Sequence, residues 1–309
     1  MRKVEIKGYG YYLPKKTVKF GDNTRYRASD GETQISMAVK ASKIALKRAK
    51  AKIEDIDLIV SASAVGAQPI PCTAALIHEQ LAKGMSIPAM DINSTCTSFI
   101  TALDVVSYMI DAGRYKKVLL VASEMASVGL LPERKEIFEL FSDGAAAVVL
   151  ARSGRKSGVI AAMQKTWSES AHATEIPGGL TALSPTQITE ENRGEYFFKM
   201  DGFKVLRTCV KKLPKMFEEF LAENKVSLDD IDLVIPHQAS RALPMLMKRL
   251  KVSKEKYVDI VADYGNQVSV SVPFALCKML EEGRVKKGDK ILLCGTAAGL
   301  TSNILLMEL

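Results

Sequence analysis

The amino-acid sequence predicts an α/β protein that is made of two similar halves. Short apolar runs of strand length alternate with helix-length segments, and the runs lie at 58–63, 118–123, 145–151, 233–236 and 291–295. A repeat points to the two halves: IEDIDLIVSA at 53–62 resembles LDDIDLVIPH at 228–237, and AGRYKKVLLVAS at 112–123 resembles EGRVKKGDKILLCG at 282–295. We therefore expect one half in residues 1–160 and the other in residues 161–309.

The segments between the predicted strands carry helical patterns. Apolar residues recur at helical spacing beside a lysine-rich face in 36–50, and the same pattern occurs in 204–223 despite Pro214. Segment 97–110 has an apolar stripe that predicts a third packed helix. Segment 168–195 is polar and rich in turn-forming residues, so we expect a linker or a segment that covers the active site.

Composition narrows the class of protein. The 309 residues are 47% hydrophobic and 25% charged, which suffices for a large core in one domain or two. Neither an apolar run of membrane-spanning length nor a secretory signal is present, so we expect a soluble cytoplasmic protein without a membrane partner. The five scattered cysteines indicate free thiols rather than disulfides or a zinc site.

The net charge of +8 suits an acidic partner, although plain solubility explains it equally well. A nucleic-acid partner is disfavoured because lysine and arginine are spread along the chain without a recognisable nucleic-acid motif. No glycine-rich phosphate loop and no metal-ligand cluster occurs in the sequence, so we predict no metal and no redox cofactor.

Cys96 is a candidate nucleophile because it lies where the helix of 97–110 begins. Unpaired N–H groups and the positive end of a helix dipole stabilise a thiolate and can lower a thiol pKa below its usual ~8.5. The small neighbours in STCTS leave room for a substrate carbonyl. By itself, however, the residue is better explained as a small buried hydrophobe, as free cysteines commonly are.

A histidine and an asparagine strengthen the interpretation of Cys96 as a nucleophile. His237 follows the strand of the second half directly, at the strand end where α/β proteins place functional side chains. Asn266 follows Gly265, which permits a tight turn, and it stands 18 residues before Arg284, just as Cys96 stands 18 residues before Arg114. We therefore expect Cys96 and Asn266 to be equivalent positions that meet near a pseudo-twofold axis.

These residues resemble those of the β-ketoacyl-acyl carrier protein synthase III family of the thiolase superfamily. The resemblance lies in DINSTCTSFITAL at 91–103, FSDGAAAVVL at 141–150, IPHQAS at 235–240, YGNQVSVSVPFAL at 264–276 and GTAAGLTSNILLMEL at 295–309. It implies a five-layered αβαβα fold, a homodimer, and a Cys-His-Asn triad at the junction of the halves.

The resemblance also implies roles for individual residues. Cys96 would take an acyl group from an acyl thioester, normally acyl-coenzyme A, and a malonyl group on acyl carrier protein would then lose carbon dioxide and attack. His237 and Asn266 would hydrogen-bond the developing enolate oxygen, and the backbone amides of Cys96 and Ala298 would hold the other oxyanion. The reaction would initiate fatty-acid synthesis or serve a related pathway.

Alternatives remain at this stage. A polyketide starter enzyme or an acyltransferase of specialised metabolism could share the triad, and a non-catalytic binding or dimerisation subunit belongs to a different class. Arg241, Lys248, Arg249 and Lys251 follow His237 on a predicted helix, where they could bind an acidic carrier protein or simply be solvated charges.

Three departures from the family pattern carry expectations of their own. The region 18–38 is short and lacks the family's nucleotide-contacting tryptophan, since the only tryptophan is Trp167, so we expect altered coenzyme A binding. Ile70 replaces a phenylalanine that gates the acyl pocket of the partner subunit, which predicts changed chain-length selection. Where the family has a run of glycines, this chain has Ala297, Ala298 and Gly299, and alanine narrows the available backbone geometry.

Overall fold

The computed structural model describes residues 1–154 and 156–309. Its strands are β1 (Glu5–Tyr12), β2 (Lys16–Phe20), β3 (Asn23–Arg27), β4 (Leu58–Ser61), β5 (Ala89–Asp91), β6 (Lys117–Glu124), β7 (Gly144–Ala151), β8 (Gly158–Thr166), β9 (Thr174–Glu175), β10 (Lys199–Met200), β11 (Leu233–Pro236), β12 (Lys290–Ala297) and β13 (Thr301–Glu308). Its α-helices are α1 (Gln34–Ala49), α2 (Thr73–Leu81), α3 (Ser98–Asp111), α4 (Lys135–Phe138), α5 (Gly202–Glu223), α6 (Leu243–Arg249), α7 (Val261–Tyr264) and α8 (Ser271–Glu281).

Two sheets with matching topology confirm the predicted pair of similar halves. The first sheet has the order β1-β7-β6-β4-β5, and the second has the order β8-β13-β12-β11. In both sheets the first two pairings are antiparallel and the third, β6 with β4 or β12 with β11, is parallel. The same chain path therefore occurs twice.

Helices and sheets alternate in five layers, as the sequence resemblance implied. Along β6, Leu119 and Val121 pack against α1, while Leu120 packs against α3, because successive side chains of a strand point to opposite faces. Helices α3 and α8 fill the layer between the two sheets, and α5 and α6 cover the outer face of the second sheet. Each sheet is thus buried on both faces.

The limit between the halves, predicted at residue 160, stays a prediction. That position lies inside β8, and β8 pairs with β13 of the second sheet from Gly158 onward. The strands of the first sheet end at Ala151. Within the described ranges no helix is long and apolar enough to cross a membrane.

Candidate active site

Cys96 lies in a tight turn between β5 and α3. The turn is a 3₁₀ helix, Thr95–Thr97, and Thr95 adopts a left-handed φ of 50° that non-glycine residues rarely take. Polar side chains hold it: Asn93 Oδ1 accepts a hydrogen bond from the Thr95 N–H at 2.7 Å, and Ser98 Oγ accepts one from the Ser94 N–H at 3.0 Å. A strained backbone held in this way is typical of functional sites.

The turn before α8 repeats this construction in the second half. Val268 has a φ of 53°, and its N–H donates to Asn266 Oδ1 at 2.8 Å. The N–H of Gln267 donates to Ser271 Oγ at 3.0 Å. Asn266 therefore occupies the position that Asn93 occupies in the first half.

The predicted equivalence of Cys96 and Asn266 is wrong, because the structural counterpart of Cys96 is Ser269. Helix α3 has 14 residues and α8 has 11, so counting back from Arg114 and Arg284 misplaces the start of the second helix by almost one turn. The two turns nevertheless contact each other at the centre of the molecule.

His237 follows Pro236 at the carboxyl end of β11, as predicted. Its N–H donates to the carbonyl of Cys294 at 2.8 Å. Gly295 makes room for the ring, since a Cβ at this glycine would lie 2.7 Å from the His237 Cβ. The buried Gln238 holds the chain after the strand by donating to the Val258 carbonyl and accepting from the Ile260 N–H.

Asn266 is fixed at both its backbone and its side chain. Its N–H donates to the Leu140 carbonyl at 2.9 Å, and its Nδ2 donates to the Ala239 carbonyl at 3.1 Å. Gly265 before it has a φ of 68°, and a Cβ there would lie 2.6 Å from Cδ of Arg25. The expected tight turn at Gly265 is therefore present.

The short N-terminal region supports the Asn266 segment. Region 18–38 includes most of the β2–β3 hairpin, in which Arg25 and Arg27 are buried. Arg25 donates to the carbonyls of Glu139, Val261 and Ala262, and Arg27 donates to those of Phe138 and Phe141. Burial is the main reason that the pKa of Arg25 falls to about 10. The alternation in TRYR, which places both arginines on one face of the strand, was the available sequence signal.

The structure brings Cys96, His237 and Asn266 to one cavity of about 320 Å³. The cavity extends from these residues into the space between α5, α6 and the second sheet. Thr174, which belongs to the polar segment 168–195, lies in its wall. Its size is that of a small-molecule site. A site at the junction of the two halves can therefore hold a substrate against all three side chains.

The pKa of the Cys96 thiol is raised, whereas the sequence led us to expect a lowered value. Burial is the main reason that the pKa of this thiol rises to about 12, and the nearby Glu124 carboxylate contributes to this rise. The N–H groups of Ala298 and of Cys96 itself hydrogen-bond the sulfur and offset part of this rise. At neutral pH the resting residue is therefore a thiol rather than the expected thiolate, because desolvation of a buried anion outweighs the helix end.

Glu124 is a buried acid of the site that the sequence analysis missed. It ends β6 and is 2% exposed. Its carboxylate accepts hydrogen bonds from the Ser269 hydroxyl and from the backbone N–H groups of Ala64 and Val65. Burial raises its pKa to about 7. The only sequence signal was an acidic residue at the end of an otherwise apolar strand.

Comparison with known proteins places the chain in a family. Residues 90–167 match 3-oxoacyl-[acyl-carrier-protein (ACP)] synthase III, and residues 221–309 match its C-terminal region. A β-ketoacyl-[acyl-carrier-protein] synthase III of Clostridium perfringens is 32% identical over 328 aligned positions that cover all of both chains. The chain belongs to the β-ketoacyl-acyl carrier protein synthase III family. It is accordingly an acyl-transferring condensing enzyme.

Solved structures of the synthase III family share the whole fold. The crystal structure of 3-oxoacyl-[acyl-carrier-protein] synthase III from Aquifex aeolicus has a TM-score of 0.88 and 30% identity, and the match covers 99% of this chain and 100% of the other. The priming β-ketosynthase of the R1128 polyketide biosynthetic pathway has a TM-score of 0.89 and 25% identity, with 99% and 96% covered. The predicted thiolase-like fold is confirmed.

The remaining predicted site residues lie in three places. Ala298 lines the cavity, and its φ and that of Ala297 lie outside the left-handed region, which only Gly299 adopts in this turn. The two alanines therefore require no left-handed backbone conformation in this turn. Ile70 is 84% exposed on a loop outside the cavity of its own chain.

The four predicted carrier-binding residues, Arg241, Lys248, Arg249 and Lys251, are all exposed. They do not share one helix as expected, because α6 begins at Leu243, with Pro244 in its first turn, and ends at Arg249. Arg241 precedes the helix, and Lys251 follows it and pairs with Glu218 at 3.4 Å. Lys248 and Arg249 occupy the last turn of α6.

Proposed function

We propose that the chain condenses an acyl thioester with malonyl-acyl carrier protein, releases carbon dioxide, and forms a β-ketoacyl thioester by way of an acyl group on Cys96. This reaction would initiate fatty-acid synthesis or serve a related pathway. The carrying observation is the single cavity that Cys96, His237 and Asn266 line, in which two backbone N–H groups point at the Cys96 sulfur. The proposal requires no metal and no redox cofactor, because these groups account for every step.

The first step transfers the acyl group. The Cys96 sulfur forms a bond to the thioester carbonyl, the bond to the departing thiol breaks, and the proton of Cys96 ends on that thiol. The amides of Cys96 and Ala298 suit the oxyanion that forms, because they already point at the sulfur to which the carbon becomes bonded.

The second step joins two carbon atoms. Loss of carbon dioxide from the malonyl group leaves an enolate, whose carbon bonds to the acyl carbonyl as the bond to Cys96 breaks. The sulfur leaves as a thiolate and takes a proton from water, which restores the thiol. His237 and Asn266 donate to the enolate oxygen. Burial lowers the pKa of His237 to about 4, so the ring is neutral at pH 7. Its Nδ1 is buried away from the cavity, so the N–H that meets the enolate oxygen in this proposal is the one on Nε2.

Donor and assembly follow from the resemblance to the family. We propose acyl-coenzyme A or an acyl carrier as the acyl donor, and acyl carrier protein as the malonyl carrier, held at Arg241, Lys248, Arg249 and Lys251. We also propose a homodimer in which the exposed Ile70 reaches the partner subunit. Priming of a polyketide pathway is the second candidate function, favoured by the likeness to the priming β-ketosynthase.

Intact-protein mass spectrometry tests the proposal. Wild type and Cys96→Ala are incubated with acyl-coenzyme A and acyl-carrier thioesters, and the product is then chased with malonyl-carrier protein. We expect an acyl adduct on wild type alone, discharged as a β-ketoacyl product. An adduct that the malonyl carrier cannot discharge would favour an acyltransferase of specialised metabolism. Failure of every thioester to form an adduct would favour a non-catalytic subunit and contradict the proposal.

A further inference from the structure

We propose that Glu124 is a positioning residue for both chemical steps, because its buried carboxylate connects the turn before α3, which carries Cys96, to the turn before α8, which carries Asn266. The inference rests on the proposed function, which gives each turn a part in the reaction. Glu124 is not among the residues that line the cavity, so it acts through the two turns and through its charge rather than by contact with substrate.

One connection leads from Glu124 to the turn before α3 through the peptide group between Ala64 and Val65. The N–H of Val65 donates to the Glu124 carboxylate. On the other side of the same peptide group, the carbonyl of Ala64 accepts a hydrogen bond from Asn93 Nδ2 at 2.8 Å. Asn93 Oδ1 in turn accepts from the N–H of Thr95 at 2.7 Å, and Thr95 directly precedes the nucleophile. The carboxylate therefore holds the backbone next to the reacting sulfur.

The other connection leads directly to the turn before α8. The hydroxyl of Ser269, which is completely buried, donates to the Glu124 carboxylate. Ser269 follows Val268, whose N–H donates to Asn266 Oδ1 at 2.8 Å. Glu124 itself ends β6 of the first sheet. A single side chain thus fixes both turns against one strand.

The negative charge of Glu124 has an effect that these hydrogen bonds alone would not require. A neutral amide could accept the same hydrogen bonds, and an ionised carboxylate is far more costly to bury. The charge acts on Cys96, since the Glu124 carboxylate is, after burial, the next reason that the pKa of the thiol is raised. The ionised carboxylate therefore keeps the half-buried nucleophile protonated at rest, which protects it from electrophiles other than the substrate.

The groups around Glu124 determine when it is charged. Burial raises its pKa to about 7, the hydrogen bonds that it accepts oppose this rise, and the charge of Asp143, which precedes β7, contributes to it. Gln34 of α1, which contacts the end of β6 at the Ser123 carbonyl, is uncharged. Cys96 stays protonated near neutral pH, so Glu124 is the group that changes charge there.

Alkylation of Cys96 by iodoacetamide measures the effect of this charge. Intact mass gives the rate between about pH 5.5 and 8.5, with Cys96→Ala as the blank for the other thiols, and a thiolate-dependent rate rises about tenfold for each pH unit. In wild type this rise should flatten near pH 7, where Glu124 ionises. Glu124→Gln should match wild type at the acidic end, rise without flattening, and react about threefold faster or more at the basic end.

Asp143→Asn is the matched control for this measurement. The carboxylate of Asp143 is also completely buried, but it accepts hydrogen bonds from Ser127 and from the Ala28 N–H rather than from either turn. This variant should keep the flattening. A merely loosened structure would raise the rate equally at every pH. Identical profiles of Glu124→Gln and wild type would overturn the effect of the charge.

The two chemical steps test the connections themselves. Glu124→Ala cuts both connections and should lower kcat for Cys96 acylation and for carbon dioxide release about tenfold or more, with little change in KM. Glu124→Gln keeps an acceptor and should restore most of both rates. Ser269→Ala cuts only the connection to the turn before α8. It should slow carbon dioxide release from malonyl-carrier protein about tenfold on enzyme acylated in advance, and leave acylation little changed.

The outcomes separate this inference from the proposed function. Wild-type rates of both steps in Glu124→Ala and Ser269→Ala would overturn the positioning role and leave the acyl-cysteine mechanism intact. If Glu124→Ala does not fold, the comparison of the two steps in Ser269→Ala decides. Absence of any Cys96 adduct in wild type would overturn the proposed function and the positioning role with it. Alkylation requires no acyl substrate, so it would still test the effect of the Glu124 charge.

Discussion

At the scale of single residues, burial sets the chemistry of the site. It raises the pKa of the Cys96 thiol to about 12 and that of Glu124 to about 7, and it lowers the pKa of His237 to about 4. All three shifts favour the uncharged form. Cys96 and His237 are therefore uncharged at neutral pH, and in the proposed mechanism negative charge appears only during acyl transfer and as the enolate forms. The backbone amides and the donor pair can then act on charge that develops in the transition state.

Glu124 should make stability depend on pH. Its folded-state pKa of about 7 lies above the ordinary 4.5, so the folded state binds the proton more tightly than the unfolded state. Wild type should lose stability as pH rises through this window, by about 3 kcal/mol at most, whereas Glu124→Gln should not. The measurement is the difference in free energy of unfolding between variant and wild type, which should grow between pH 4.5 and 7.

A difference that stays flat over that window would contradict the raised pKa of Glu124. Gln keeps the carboxamide oxygen as an acceptor for the Ser269 hydroxyl and the Ala64 N–H. A change at the Val65 N–H does not depend on pH, so the slope of the difference against pH isolates the charge. Unfolding of both proteins by urea at each pH provides the free energies.

His237→Ala and Asn266→Ala should separate the two chemical steps. Each variant should slow release of carbon dioxide from malonyl-carrier protein about 100-fold or more, because one donor to the enolate is lost. Acylation of Cys96 should be little affected, since in the proposed mechanism its oxyanion is held by the amides of Cys96 and Ala298. Carbon dioxide release and intact mass report the two steps independently. Equal loss of both steps would argue against the assigned roles.

At the scale of elements, the turns before α3 and α8 share one backbone geometry. Each has a non-glycine residue of positive φ, Thr95 or Val268, and an asparagine two residues earlier accepts a hydrogen bond from its N–H. The sequence repeat predicted related halves, and apolar runs predicted the buried strands. The offset of three residues could not be predicted, because helix length depends on where packing ends rather than on the Gly-Arg that follows.

Gly265→Ala should disturb the Asn266 turn. An alanine there meets both a φ of 68° and the side chains of Arg25 and Ser142 within 3 Å. Gly283 is a control for positive φ, since it has the same φ of 68° and nothing within 4 Å of an added Cβ, whereas Gly265 also has a ψ of −174°, which essentially only glycine adopts. Gly283→Ala should cost about 1 to 2 kcal/mol in unfolding free energy from backbone strain alone.

Gly265→Ala should be destabilised more than Gly283→Ala, and only Gly265→Ala should also lose carbon dioxide release. Thermal or urea unfolding and the decarboxylation assay measure the two effects. Equal stability and equal activity in the two variants would show that the close approach of Arg25 and Ser142 to Gly265 does not matter.

At the scale of the whole molecule, part of the positive charge lies near the active-site cavity, where an acidic carrier protein could bind. Lys248 and Arg249 are exposed at the end of α6, a helix of the cavity wall. Arg241 lies close enough to Arg25 for the two charges to repel. Such charges mainly raise the rate of encounter with an acidic partner and are screened by salt.

Reversal of Lys248 and Arg249 to glutamate should raise the KM for malonyl-carrier protein about tenfold at low salt. The KM for a small thioester should not change. Lys43→Glu with Lys47→Glu makes the same charge change on the exposed face of α1, which covers the first sheet, and should leave both constants unchanged. Equal effects of the two double variants would assign the interaction to net charge alone.

The sequence by itself determined the family, the two-half architecture and the identity of Cys96, His237 and Asn266 as candidates. These conclusions follow from strand and helix patterns, from repeated and family-like sequence motifs, and from local turn chemistry, all of which lie within short segments. Only the tertiary structure decided that Cys96 corresponds to Ser269, that its thiol is protonated, and that Glu124 and Arg25 lie behind the site. Desolvation and packing depend on residues distant in sequence, which no local pattern records.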